Sequence, residues 1–270
     1  MKLDMGRAWN DAMAMLKQNR DVTVAVAGLF LFLPVFGLFL LLMHSGISLI
    51  IEGQEPDPEF VNQQIVALFT GYWWAFLGVV IAQIFGSVVL MRVLADPARP
   101  TVSEALASVP GMILTIIAAQ ILISLATQAL PLLGSVLPPA AEALVSLISL
   151  PIVFYLTIKF MLMTPIIAID RERNPIKVLQ RSWSLTRNNS FRLFGFMALL
   201  IVVGLVLGLL ATLIISVVLA LFSERIASIG IVAFLALVIA LAYAIGYAVT
   251  ASIHAQLSGR DLNQSWEDFA

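Results

Sequence analysis

A chain of 270 residues that is 61% hydrophobic and only 11% charged has too little polar surface for a soluble fold. Its net charge of −1 excludes the concentrated positive charge that nucleic-acid binding demands, and the absence of cysteine excludes disulfides, thiolate metal sites and cysteine nucleophiles. Two histidines are too few for a histidine-rich metal centre. We therefore predict an all-α, polytopic membrane protein that binds no metal or cofactor, with residues 1–270 forming a single integral membrane domain.

The first predicted element is a helix over residues 3–18. Met5, Trp9 and Leu16 recur at helical spacing on one face, and charged residues lie on another. The segment is too polar to cross a bilayer, so we predict an amphipathic helix in the cytoplasmic membrane interface with Trp9 as its anchor. A short helix packed on its own bundle is the alternative, and the two can coexist.

Six apolar segments follow, each of the length that crosses about 30 Å of hydrocarbon. They predict transmembrane helices at residues 22–44, 65–93, 112–130, 142–167, 191–221 and 227–254. Pro34 should kink the first span, and Pro151 lies inside the fourth.

Small residues at helical spacing predict close helix packing in three of these spans. They are Gly78, Ala82 and Gly86 in span two, Gly204 and Gly208 in span five, and Ala236, Ala240, Ala244 and Ala248 in span six. Spans five and six are therefore expected to fit each other closely.

The distribution of basic residues predicts the orientation. Thirteen of the fifteen lysines and arginines fall on one side of the six predicted spans, whereas Arg225 is the one basic residue in the opposite loops. By the positive-inside rule, both termini are predicted to be cytoplasmic.

A polar cytoplasmic segment precedes each pair of spans. Arg7-Ala8-Trp9 before span one matches Arg181-Ser182-Trp183 before span five, and Thr101-Val102-Ser103-Glu104 predicts a capping box before span three. We expect three hairpin repeats, at 1–95, 96–170 and 171–260, with a cytoplasmic tail at 261–270. The alternative is that any six-span protein with both ends inside divides into three hairpins.

The segment 170–192 carries the densest basic charge in the chain and contains a recognisable motif. Its elements are Asn174-Pro175-Ile176, Leu179, Arg181-Ser182-Trp183-Ser184-Leu185-Thr186-Arg187-Asn188 and Phe191-Arg192-Leu193-Phe194-Gly195. This motif resembles the membrane-domain family of glycerophosphoryl diester phosphodiesterase, a group similar to the YciC-like bacterial inner-membrane proteins. The resemblance implies an inner-membrane location and this architecture. It does not bring catalytic activity, because no segment offers the histidine and carboxylate cluster that such an enzyme needs.

Within the motif, Asn174 is predicted to cap a helix that begins at Pro175, with Ile176, Leu179 and Trp183 facing lipid or the bundle. Basic and polar residues beside the tryptophan suit the headgroup layer of an anionic bilayer. The candidate surface comprises Lys177, Arg181, Trp183, Arg187, Asn188 and Arg192. Three interpretations remain open: charge that only fixes topology, a site for anionic lipid headgroups, and a docking surface for a protein partner in the membrane.

Lys159 is the one basic residue that the sequence places well inside a span, and an intramembrane charge is a functional candidate by default. With Gln120 and Gln83 it forms the candidate intramembrane polar site, on the hypothesis that Lys159 lines a cavity near Gln120 and Thr157. The alternative is a lysine that extends toward the membrane surface.

The sequence favours a non-enzymatic inner-membrane protein of envelope or lipid homeostasis, with an accessory or scaffold role. The alternative is a transporter or lipid translocator with a polar path near Lys159. Transporters combine broken helices with several intramembrane charges. Here the candidate helix breaks are Pro34 and Pro151 and the intramembrane charge is one lysine, which is little support for a transporter. An intramembrane enzyme is disfavoured, because no nucleophile and base or paired carboxylates lie within the spans.

Overall fold

The computed structural model describes residues 2–43 and 58–259, and over these ranges the chain is helical and without strands. Six helices are long and apolar enough to cross a membrane, as predicted. They are Arg20–Met43, Asn62–Ala95, Pro110–Gly134, Pro139–Ala168, Ser190–Leu219 and Glu224–Leu257. Residues 44–57, between spans one and two, and the tail at 261–270 lie outside the described residues.

Span one changes its helix type before Pro34. An α-helix at Arg20–Ala27 passes into a π-helical turn at Gly28–Phe32 and returns to an α-helix at Leu33–Met43. Pro34 has no N–H to donate, and its ring clashes with the carbonyl four residues earlier. The hydrogen-bond ladder accommodates it by lengthening, so that the Leu33 N–H donates to the Gly28 carbonyl. A π-helical segment therefore precedes Pro34, and the kink of span one stays a prediction.

The other spans differ in their regularity. Span two belongs to the helix Pro58–Ala95, which is interrupted by non-helical backbone at Tyr72. Span four consists of a helix at Pro139–Phe160 and a short one at Met163–Ala168. Pro165 explains the break between them, because its ring clashes with the carbonyl of Met161.

Three short helices precede spans one, three and five, at Met5–Gln18, Val102–Ser108 and Pro175–Thr186. Each begins with a side chain that accepts hydrogen bonds from the first turn, supplied by Asp4, Thr101 and Asn174. The predicted cap at Asn174 and the predicted capping box are both confirmed: Thr101 Oγ1 accepts from the Glu104 N–H, and Glu104 accepts from the Thr101 N–H. That backbone hydrogen bond from Thr101 lowers the pKa of the Glu104 carboxyl.

The described helices form two compact units. The first comprises the described parts of Met1–Arg20, Ser87–Val202 and Ile245–Ala270, and the second comprises those of Asp21–Gly86 and Val203–Ala244. The first unit holds the three short helices, spans three and four, and all the candidate surface residues.

Close packing in the second unit follows part of the predicted small-residue pattern. A Cβ on Gly86 would lie 2.9 Å from Leu31 Cδ2, and one on Gly208 would lie 3.3 Å from Val238 Cγ1. Span six also approaches span five at Gly230, whose added Cβ would lie 2.8 Å from Leu219. The expected fit of spans five and six is therefore confirmed at Gly208, whereas Gly78 and Gly204 face open space.

Candidate functional site

The helix Pro175–Thr186 is fixed to the first unit by a face that the sequence does not single out. Val178, Ser182 and Thr186 are fully buried, whereas Ile176 and Trp183 remain exposed. Ser182 Oγ donates a 2.7 Å hydrogen bond to the carbonyl of Lys159, at the end of the span-four helix. This bond satisfies a carbonyl that has no partner within its own helix, which is why hydroxyl residues occupy the buried face.

Lys159 is 3% exposed, and its amine lies over two aromatic rings rather than in a polar cavity. The Nζ atom is 5.0 Å from the ring centroid of Trp183 and 5.3 Å from that of Tyr155. These distances are in the range of cation–π attraction. Its carbonyl accepts from Ser182, so Lys159 packs against the 175–186 helix at the end of the Pro139–Phe160 α-helix. The candidate span that contains it continues to Ala168.

The three members of the predicted intramembrane polar site are placed differently. Gln120 is exposed on span three, without a hydrogen bond to Lys159 among the described residues, and Thr157 is exposed and bonds Val153 of its own helix. Gln83 is half-buried and belongs to the second unit. The structure instead joins Lys159 to Trp183, which the sequence assigned to a separate candidate site.

A buried aspartate at the start of the 170–192 segment accepts from two cationic or polar partners. Asp170 Oδ2 lies 2.8 Å from Arg181 Nη2 and 3.1 Å from His254 Nε2. The side chains of Asp170 and His254 are 3% and 1% exposed, and that of Arg181 is 46% exposed. Through Asp170, Arg181 makes a contact within the 170–192 segment, and His254 connects that segment to the end of span six.

Asp96 forms a second cluster of the same kind. Its Oδ2 lies 3.2 Å from Arg92 Nε and 3.4 Å from Arg171 Nη2, and its Oδ1 accepts from the Ala98 N–H. Asp96 and Arg92 are buried, whereas Arg171 is exposed. The segment 170–192 is therefore held by two buried carboxylates, one of which it supplies itself.

Asp170, His254 and Asp96 were not among the predicted site residues. The signal available for Asp170 is its place at the boundary between an apolar span and a basic segment. The signal for His254 is a histidine at the end of an otherwise apolar helix. Neither signal names the partner, because the two residues are 84 positions apart.

The remaining candidate surface residues are exposed. Arg192 Nη1 donates to the Leu3 carbonyl at 3.2 Å, beside a bond from the Leu3 N–H to Asn189 Oδ1, so this end of the segment holds the N-terminus. Lys177, Arg187 and Asn188 project from the helix and its C-terminal end. Asn188 adopts a left-handed conformation with φ of 68°, which asparagine tolerates well.

An open groove of about 460 Å³ runs beside the exposed side of the 175–186 helix. Its lining is apolar except for Gln180 and consists of Leu122, Phe160, Ile176, Leu179, Gln180 and Trp183. Span three, span four and the 175–186 helix each contribute to it. Trp183 is shared, because its ring also lies against the Lys159 amine.

Six membrane-crossing helices and a basic, aromatic segment anchored on buried carboxylates define a multi-pass membrane protein. The family model described as the membrane domain of glycerophosphoryl diester phosphodiesterase matches residues 139–265. That range contains Lys159, Asp170, the 175–186 helix and His254, so the predicted resemblance is confirmed over spans four to six. No curated protein and no solved structure matches the chain.

Proposed function

We propose that this protein is a non-enzymatic accessory or scaffold protein of the bacterial inner membrane, with a role in envelope or lipid homeostasis. Both termini are cytoplasmic in this proposal. The exposed side of the 175–186 helix is the contact surface, and anionic lipid headgroups are its partner.

One observation carries the proposal: the helix buries one side against the rest of the first unit and leaves a cation and an aromatic ring exposed on another. Val178, Ser182 and Thr186 are buried against the first unit, whereas Lys177 and Trp183 are exposed. An indole and a lysine amine on adjoining sides of one helix suit the headgroup layer, where each cation contributes about 1 kcal/mol of attraction to anionic lipid.

The transporter alternative has less support than the scaffold. It requires Lys159 to face a hydrated path with neighbouring polar groups, but the amine lies over Trp183 and Tyr155 and Gln120 is exposed. Docking of a protein partner on the same surface is the other alternative, and the test below distinguishes it.

The test uses the full chain with a spin label on Ser184→Cys, an exposed position in a cysteine-free sequence. Nanodiscs of phosphatidylcholine are compared with nanodiscs that also contain phosphatidylglycerol. We expect the anionic lipid to draw the labelled helix toward the headgroups, which lowers the accessibility of the label to a water-soluble relaxation agent. Added salt should weaken this effect, because dissolved ions screen the attraction between exposed charges over about 10 Å.

Reversing two exposed cations together, as Lys177→Glu with Arg187→Glu, should abolish the effect of phosphatidylglycerol. Arg181 is left intact, because its reversal would place a carboxylate against buried Asp170. Arg225→Glu, an exposed charge reversal at the start of the span-six helix, is the matched control and should leave the effect unchanged. Equal accessibility in both lipids would contradict lipid contact and favour docking of a protein.

A further inference from the structure

We propose that the groove beside Trp183 is a defined site for one anionic phospholipid, with the phosphate on the Lys159 amine and an acyl chain along the groove. This inference rests on the proposed lipid contact and deepens it, because it names a single bound lipid rather than a charged layer.

The first argument is the unbalanced charge of Lys159. The side chain is 3% exposed, and among the described residues no carboxylate lies within ion-pair distance of its amine. Two ring faces replace only part of the hydration that the ammonium loses. By contrast, the other buried charges of this unit, Arg92, Asp96 and Asp170, all have ionic or hydrogen-bonding partners. A phosphate oxygen would complete the coordination of Lys159.

The second argument is the neighbourhood of the lysine. The hydrogen bond from Ser182 Oγ to the Lys159 carbonyl packs this lysine against the basic 175–186 helix, at the end of the Pro139–Phe160 α-helix. Basic pockets between membrane helices are places where phospholipid headgroups bind. The amine therefore lies in the kind of position that binds a lipid phosphate.

The third argument is that the cation and the groove share a wall. Trp183 carries the Lys159 amine 5.0 Å from its ring centroid and also lines the groove. Phe160, with its ring 5.8 Å from that of Trp183, lines the groove on the side of span four. A ligand in the groove would therefore touch the ring against which the lysine amine lies.

The fourth argument is the chemistry of the groove. Its volume of about 460 Å³ is in the range of small-molecule sites, but its walls are side chains such as Leu122, Ile176 and Leu179. Such walls favour a hydrocarbon chain and offer a polar solute little beyond the Gln180 amide. One phosphate position above an apolar path matches a phospholipid in charge and in polarity.

The test is native mass spectrometry of the full chain, purified in a mild detergent and supplied with phosphatidylglycerol or with phosphatidylcholine of the same acyl chains. We expect the protein to retain one phosphatidylglycerol molecule in preference to phosphatidylcholine. Lys159→Met should reduce the retained fraction at least about tenfold, as expected when a buried charge partner is removed. Lys17→Met, the same change at an exposed lysine of the Met5–Gln18 helix, should retain the lipid as the unaltered chain does.

A second variant keeps the proposal testable if Lys159→Met does not fold. Gln180 is exposed and lines the groove, so Gln180→Trp should be tolerated and should displace the acyl chain. Retention of phosphatidylglycerol by Gln180→Trp at the level of the unaltered chain would overturn the proposal, as would equal retention by Lys159→Met. Competition by inorganic phosphate alone would identify an anion site rather than a lipid site and would also overturn it.

The two proposals can fail separately. If retention of phosphatidylglycerol depends on Lys159 but the spin label at position 184 does not respond to it, the proposal of a single-lipid site is supported and the proposal of a lipid-contact surface is refuted. A label that responds to phosphatidylglycerol, together with retention that ignores Lys159, would do the reverse.

Discussion

At the scale of single residues, the two buried aspartates decide how the 170–192 segment is held. Each accepts from one buried and one exposed group: Arg92 and Arg171 for Asp96, and His254 and Arg181 for Asp170. A carboxylate taken out of water costs several kcal/mol unless such partners replace its hydration. Removing either a carboxylate or its buried partner is therefore expected to destabilise the fold.

Removing the charge of Asp170 tests this dependence. We expect Asp170→Asn to lower the free energy of unfolding by about 3 kcal/mol, because Arg181 and buried His254 lose the negative charge of the carboxylate that they share. Denaturation of the purified protein in detergent, followed by circular dichroism, measures the change. Asp11→Asn is the control: its pair with Arg7 is longer, at 3.6 Å, and its carboxylate is 16% exposed against 3% for Asp170, so a loss of at most about 1 kcal/mol is expected. Equal losses in the two variants would refute a special role for the Asp170 cluster.

At the scale of elements, two of the short helices share a detailed arrangement. In Arg7-Ala8-Trp9 and in Arg181-Ser182-Trp183, the middle residue is 0% exposed and the tryptophan is exposed at 36% and 39%. In both, the arginine pairs with an aspartate, Asp11 or Asp170. This agreement supports the three-repeat interpretation, which stays a prediction.

Glycine packing between spans one and two gives a matched pair of variants. In Gly86→Ala, the new Cβ would lie 2.9 Å from Leu31 Cδ2 and 3.0 Å from Phe30 Cβ, so the helices must separate slightly. We expect a loss of about 1–3 kcal/mol in unfolding free energy, as in other overpacked cores. Gly78→Ala meets open space and should be neutral or slightly stabilising. If Gly78→Ala proves as harmful as Gly86→Ala when both are unfolded in the same detergent, the close approach is not the cause.

The capping box gives the short 102–108 helix a predictable response to acid. Because the folded chain lowers the Glu104 pKa below its usual value of 4.5, the ionised carboxylate stabilises the helix start above that pH, and the stabilisation is lost as pH falls through the lowered pKa. We expect amide protection at 102–108 to fall on acidification, measured by hydrogen exchange corrected for intrinsic rates. Glu104→Gln, which keeps an acceptor but cannot titrate, should lack this dependence. A dependence that persists in Glu104→Gln would exclude the carboxylate as its source.

At the scale of the whole molecule, the predicted orientation awaits a direct test. Single cysteines at Pro138 and Ser223 should react with an impermeant maleimide added outside intact cells, because these positions fall on the predicted periplasmic side. Cysteines at Ser103 and Ser184 should react only after the cells are permeabilised. Reaction of Ser184→Cys in intact cells would show that the predicted orientation is wrong.

The sequence predicts the spans and caps well because both depend on neighbours along the chain. A run of apolar residues or a Thr101 three positions before Glu104 carries its own signal. The interruption of span four between Phe160 and Met163 was missed because Pro165 received no weight. The buried face of the 175–186 helix was missed because Ser182 and Thr186 are polar, and polar residues are expected at the surface. Their burial is understandable only once their shared acceptor, the Lys159 carbonyl, is known.

The contact between Asp170 and His254 also constrains the order of biosynthesis. Asp170 is synthesised 84 residues ahead of the histidine, which lies near the end of the last span. While the ribosome is still making spans five and six, the connection from Asp170 to the final helix cannot form. A product truncated before His254 would therefore lack this connection, and a membrane protease could distinguish it from the finished protein by the unfastened 170–192 segment.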